Sequence, residues 1–154
     1  MNETHWRVTF EIFRQKTGQP CHFDEYVMDV DPDEYVLDVV ERIWAYNDRS
    51  LTFRHACHHS TCGACGMRVN SVEKLSCITP IREVARNGGK VRVEPLRNFP
   101  VLSDLVVDMG AFYLRLDDAK FSQVASLKDA CLPFERKQQV REDGSYERHI
   151  YPPG

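Results

Sequence analysis

The spacing of apolar residues changes period along this chain. In residues 5–14 (HWRVTFEIFR), Val8, Phe10 and Ile12 alternate with other residues, the two-residue period that turns one face of a strand into a core. The KTGQP that follows supplies turn chemistry, and residues 22–30 repeat the extended pattern, so the two segments read as a hairpin. Asp31-Pro32-Asp33 has the character of a helix start. After it the spacing lengthens: Val36, Leu37, Val39, Val40, Ile43 and Trp44 recur at helical intervals, predicting an amphipathic helix over about residues 34–47 packed on the hairpin.

Shorter extended segments follow at residues 66–70, around 74–77, and at 90–94 after Asn87-Gly88-Gly89. Two strands, one helix and further short strands make an α+β arrangement of the β-grasp type, with the helix across one face of the sheet. Beyond Pro100 the apolar positions of residues 101–109, leading on to Phe112 and Tyr113, read as helical, and from about Phe134 the chain is polar, as an extended or disordered end would be. The expected organisation is a β-grasp domain over 1–100, a helical extension or linker over 101–133 and a polar tail over 134–154.

Composition narrows the function. A chain of 154 residues is long enough for one core. Its formal net charge of −3 lacks the basic excess that phosphate neutralisation demands, so no nucleic-acid partner is expected. No run approaches the roughly 20 apolar residues of a membrane span, and MNETHWRVTF has neither the basic nor the apolar region of a secretion signal, so a soluble, unsecreted chain is expected. Nothing offers a nucleophile with its base, a paired-carboxylate site or a phosphate-cradling glycine loop, which points to a carrier rather than a catalyst.

The chemistry concentrates in CHHSTCGACG, residues 57–66. Of the six cysteines, Cys57, Cys62, Cys65 and Cys77 cluster, while Cys21 and Cys131 stand alone and are expected to be half-buried apolar residues. In a reducing compartment such a cluster reads as metal binding. The spacing C-x4-C-x2-C with a distant fourth cysteine is that of a plant-type [2Fe-2S] centre. Two bridged irons require four thiolates, so a tight loop must wrap the cluster while a fourth ligand arrives from a neighbouring strand. Gly63 and Gly66 flank the Cys-x2-Cys turn, where a missing Cβ permits positive φ and lets backbone amides approach sulfur. A structural zinc site is the main competitor, although only one Cys-x2-Cys knuckle is present. A Rieske centre would need a second histidine-bearing segment near Cys77. His55, His58 and His59 are expected to be solvated or bonded to backbone, and positive charge from Arg54, Arg68 or a protonated histidine would raise the reduction potential.

With these residues in view, the segments LTFRHACHHSTCGACGMRVN, LSCITPI and VRVEPLRNFPVLSDLVVDMGAFY closely resemble the [2Fe-2S]-bearing half of the iron-sulfur subunit of succinate dehydrogenase and fumarate reductase. The likeness runs from about Trp6 to about Phe121. It implies a ferredoxin-like β-grasp domain with Cys57, Cys62, Cys65 and Cys77 as the four ligands and Arg54 in the place of the arginine just ahead of the first ligand. It also implies electron transfer from the FAD of a flavoprotein subunit to [4Fe-4S] and [3Fe-4S] clusters, which reduce quinone at a membrane anchor.

In the family a D-G-x-Y-E segment leads directly into the cysteines of the second half. Here Asp143-Gly144-Ser145-Tyr146-Glu147 leads to Arg148-His149-Ile150-Tyr151, and no cysteine follows Cys131. The further clusters are therefore expected in a separate polypeptide, making this a split subunit, with truncation of a longer chain as the plainer alternative. The expected location is cytoplasmic, peripheral on the inner face of an energy-transducing membrane and attached only through partners. A free-standing ferredoxin and a zinc-stabilised interaction module are the rival readings.

Overall fold

A computed structural model describes residues 5–118 of the chain. The chain divides into two units, residues 1–110 and 111–154. The first holds the sheet, the core and the cysteine loop.

Strand β1 (Trp6–Arg14) pairs antiparallel with β2 (His22–Val30) over its whole length, from Trp6 opposite Val30 to Arg14 opposite His22. The helical segment that follows starts as α1 (Val36–Arg42) and widens into a π-helical turn (Ile43–Asn47). The span agrees with the predicted 34–47; the change of winding does not show in an apolar pattern. Strands β3 (Gly66–Val69) and β4 (Val72–Leu75) form a second hairpin, followed by a 3₁₀ turn (Ser76–Ile78) and the short helix α2 (Ile81–Val84). Strand β5 (Lys90–Glu94) then enters the middle of the sheet, parallel to β1 and antiparallel to β3, giving the order β2-β1-β5-β3-β4. This is the expected α+β, ferredoxin-like β-grasp fold.

Val8, Phe10 and Ile12 are fully buried, as their alternation predicts, against Val36, Leu37, Val39, Val40 and Ile43 of the helical segment and Val91 and Val93 of β5. Burying a side chain of this kind stabilises the fold by about 1.5–3 kcal/mol. Trp44, expected on the same apolar face, is 37 % exposed and lies under the guanidinium of Arg49, because the π-helical winding rotates it off the core. Cys21 also departs from expectation: it is exposed, in the turn region between β1 and β2.

The segment 101–109 is not helical. Val101–Ser103 (β6) and Val106–Val107 (β7) form a small antiparallel pair turned at Asp104, whose φ is 48°, and helix α3 begins only at Gly110, running to Asp118. Tertiary capture of Asp104 explains the difference. Its carboxylate is fully buried and accepts hydrogen bonds from the backbone N–H groups of Gln15 (3.0 Å) and Thr52 (2.9 Å) and from Lys16 Nζ (2.6 Å). Arg14 Nε lies 3.3 Å away. A helix through residue 104 would forfeit this set. The predicted polar tail and Cys131 lie outside the described residues.

Arg14 is the hub of the same network. Its side chain, 7 % exposed, donates to Asp48 (2.5 Å), Asp24 (2.8 Å) and Ser50 Oγ (2.7 Å). Burial works against its charge, but the hydrogen bond to Asp48 and the attraction of Asp104 outweigh that and hold the guanidinium well above its ordinary pKa. For Asp104, burial pushes the pKa up, yet the bonds from Lys16, Thr52 and Gln15 win and hold it below the ordinary value. The network fastens the end of β1 to the segment that enters the cysteine loop.

Candidate metal centre

The approach to the loop is braced at several points. Leu51 is buried, Thr52 is held by Asp104 and by Ser103, and Leu105 N–H donates to Thr52 O (3.2 Å). Arg54 Nη1 donates to the carbonyl of Val107 (3.0 Å), so this side chain ties the loop entrance to β7. Arg68, expected to lend charge to the site, is instead forked onto Glu94 (3.1 and 2.5 Å), which neutralises it locally.

Within the loop, His58, Ser60 and Gly63 have φ of 58°, 65° and 72°. Interleaving left-handed residues with ordinary ones curls successive N–H groups toward one side, a concavity suited to negative charge. The N–H groups of His59 (3.5 Å), Thr61 (3.3 Å) and Cys62 (3.4 Å) donate to Cys57 Sγ, and that of Ala64 donates to Cys62 Sγ (3.4 Å). His59 N–H, followed by Cys62 N–H, pulls the Cys57 thiol down to about 6, a thiolate at neutral pH.

The β3–β4 hairpin explains how a cysteine twelve positions away joins the group. Gly66 pairs with Leu75, so the residues just outside this pair, Cys65 and Ser76, face each other. Ser76 donates to the Cys65 carbonyl from its N–H (3.3 Å) and its hydroxyl (2.9 Å), which places Cys77 beside Cys65. Cys65 and Cys77 are buried. Burial, then the neighbouring Cys65 thiol, pushes the Cys77 thiol up, while the Ser60 N–H favours its thiolate and Cys57 is close enough to repel it. All four clustered cysteines thus meet, two at the mouth and two in the interior; Cys21 is not among them.

The two glycines act differently. Gly63 supplies the left-handed φ, with open space where a Cβ would sit. Gly66 has no positive φ; a Cβ there would lie 3.3 Å from the Gly63 carbonyl and 3.4 Å from Leu96 Cδ1. Its value is room, not conformation. The amide donors from residues 59–64 were not foreseeable individually, because backbone N–H groups carry no sequence signature. Glu41 was also missed: its Oε1 lies 3.2 Å from His55 Nδ1 and 3.3 Å from His58 Nε2. A lone glutamate on a helix's polar side gives no sign of that.

Four convergent thiols, two of them shielded from water, with inward N–H groups to spread the negative charge, fit a [2Fe-2S] cluster. Residues 9–114 match the family model described as a 2Fe-2S iron-sulfur cluster binding domain. The chain is 36 % identical over 116 residues to the fumarate reductase iron-sulfur subunit of Mycobacterium tuberculosis, covering 74 % of this chain and 46 % of that one. It is also 36 % identical over 107 residues to the succinate dehydrogenase iron-sulfur subunit of Paracoccus denitrificans, covering 68 % and 40 %. A chain of the Mycobacterium smegmatis Sdh1 complex in the apo form superposes with a TM-score of 0.69 at 28 % identity, over 73 % of this chain and 46 % of that one. The chain spans less than half the length of these relatives. Sequence match, superposition and a thiol set that fits a [2Fe-2S] cofactor lead to one assignment: this chain belongs to the 2Fe-2S iron-sulfur cluster binding domain family.

Proposed function

We propose that this chain is an electron-transfer subunit of a complex of the succinate dehydrogenase and fumarate reductase type, with Cys57, Cys62, Cys65 and Cys77 as the cluster ligands. The observation that carries the reading is the convergence of these thiols beneath amides donated by the loop itself. Cys57 lies beside Cys62 and Cys77 beside Cys65, so the four thiolates would hold a bound cluster together. When bound, a [2Fe-2S] cluster accepts and releases one electron at a time.

The chain's own residues hold it. Amides at 59, 61, 62 and 64 stabilise the thiolates, Gly63 shapes the turn, Gly66 leaves space beneath it and Arg54 anchors the entrance. Cys65 and Cys77 face the interior, while Cys62 is exposed, so the Cys57–Cys62 side is the one a bound cluster would present to a partner. The similarity to iron-sulfur subunits supports an FAD-containing flavoprotein as one partner; a separate chain carrying [4Fe-4S] and [3Fe-4S] clusters is the proposed second. Among the described residues no helix is long and apolar enough to cross a membrane; a peripheral position at the cytoplasmic face, reached through partners, is proposed from the similarity to subunits of such complexes.

Anaerobic purification from native cells tests this. A red-brown chain with two irons, copurifying with a flavoprotein and a cysteine-rich iron-sulfur protein, is the expected result. A coloured chain without partners would make it a free-standing ferredoxin, and a colourless zinc protein would overturn the redox reading.

A further inference from the structure

Beside the cysteine loop, α1 and the loop bring together three atoms that bind metals well. His55 Nδ1 and His58 Nε2 lie 3.0 Å apart, and Glu41 Oε1 lies 3.2 Å from the first and 3.3 Å from the second. A tetrahedral zinc ion with ligand bonds of 2.0–2.1 Å has ligands separated by roughly 3.3 Å. The triangle is therefore close to one face of such a coordination shell. We propose that Glu41, His55 and His58 form a second metal site, distinct from the cysteines, which binds a divalent borderline ion of the zinc type.

Two further features point the same way. Glu41 Oε1 is cut off from water and accepts no well-formed hydrogen bond from the described residues, although two imidazole nitrogens stand beside it. A buried carboxylate oxygen left in that state is costly, and a cation facing all three atoms satisfies it. His55 is held in place by stacking on Phe53, with ring centroids 5.3 Å apart and planes 22° from parallel, and His58 meets it edge-on.

The trio opens onto a cleft of about 760 Å³ that Asp38 of α1 and Glu34, just before the helix, also line. Glu34 is paired with Arg42 (2.9 Å), which also lines the cleft, so the added negative charge comes from Asp38; the open side leaves a fourth position for water, as in three-ligand zinc sites. Two imidazoles and a carboxylate suit zinc better than magnesium or calcium, which prefer oxygen alone. The ion would cross-link α1 to the residue following Cys57, clamping the cysteine loop on the helix.

The test uses the full chain with its [2Fe-2S] cluster, purified anaerobically and washed with chelator. It is titrated with zinc alone, followed by calorimetry and metal analysis after dialysis. The expected result is one zinc per chain in addition to two irons, with the visible spectrum unchanged and a raised thermal midpoint. Glu41→Gln lies outside the cysteine loop and His55→Asn lies before it; each is expected to weaken zinc binding at least about tenfold while iron content stays the same. Zinc uptake that bleaches the visible spectrum would put the ion on the cysteines instead. That result, no uptake at all, or equal uptake by wild type and Glu41→Gln would overturn the proposal.

Discussion

Replacing Asp104 with alanine tests whether the buried ionic network governs the geometry of the cysteine loop. The Asp104 side chain is 0 % exposed and accepts from Lys16 Nζ at 2.6 Å, Thr52 N–H at 2.9 Å and Gln15 N–H at 3.0 Å, with Arg14 Nε at 3.3 Å. Breaking a buried ion pair by removing one partner costs about 3–5 kcal/mol, and each orphaned N–H adds about 1–3 kcal/mol unless water reaches it. Arg14 retains Asp24 and Asp48, and Lys16 retains the carbonyl of Ser50, so the cations are not stranded. The low end of the range applies: a loss of about 3 kcal/mol, which for a chain of this size lowers the thermal midpoint by on the order of 10 °C. Differential scanning calorimetry of the cluster-bearing chain measures it. Because Thr52 leads into the loop, the variant is also expected to lose its visible absorbance faster in air than the wild type. A midpoint within about 3 °C of wild type, with equal cluster lifetime, would refute the view that this carboxylate organises the loop.

Cys77→Ser is expected to abolish the visible absorbance of the purified chain, whereas Cys21→Ser, at an exposed position, leaves iron content and spectrum unchanged; metal analysis separates them. Gly63→Ala places a side chain in open space but in a left-handed conformation, costing about 1 kcal/mol, while Gly66→Val drives its branched side chain toward the Gly63 carbonyl and Leu96 and costs more; chemical denaturation ranks the two. Phe10→Ala, at a fully buried position, is expected to cost about 3–5 kcal/mol in the same assay. Asp48 and Asp104 are both held below the ordinary carboxylate range, by Ser50 and Arg14 for the first and, against burial, by Lys16, Thr52 and Gln15 for the second. Their stabilisation is full above the unfolded value of about 4 and is lost as pH falls through the lower folded values. Acid unfolding curves should therefore be shallower in Asp104→Asn, and an unchanged acid limb would count against it.

Much of this was legible because short-range patterns decide it. Val8, Phe10 and Ile12 could alternate only as a half-buried strand, and the cysteine spacing left few metals to consider. Other parts depended on partners distant in sequence. Val101, Leu102, Val106 and Val107 suit either a helix or a pair of short strands; Asp104, drawn in by Arg14, Lys16 and Thr52, selects the strands. Arg68, expected to lend charge to the cluster, is neutralised by Glu94, and nothing in the local sequence marks Arg14 as a buried hub, since its partners Asp24, Asp48 and Asp104 lie far along the chain. Glu41 gained its place only when the fold laid the loop histidines against it.

The placement of β5 has a consequence for the order in which the molecule assembles. Its pairing with β1 joins Thr9 to Lys90, so the parallel half of the sheet closes only after the chain has searched a long loop, which is entropically slow. The β3–β4 hairpin is local, turning through Asn70 and Ser71 with φ of 48° and 70°, the left-handed pair that a tight two-residue turn prefers. Hairpins of that kind form in about 1–10 μs. The hairpin between Cys65 and Cys77 is thus expected to pair before β5 joins it to the sheet through Arg68 and Val69. On that order the Cys65–Cys77 half of the ligand set forms locally, and its rigidity arrives from the far end of the domain.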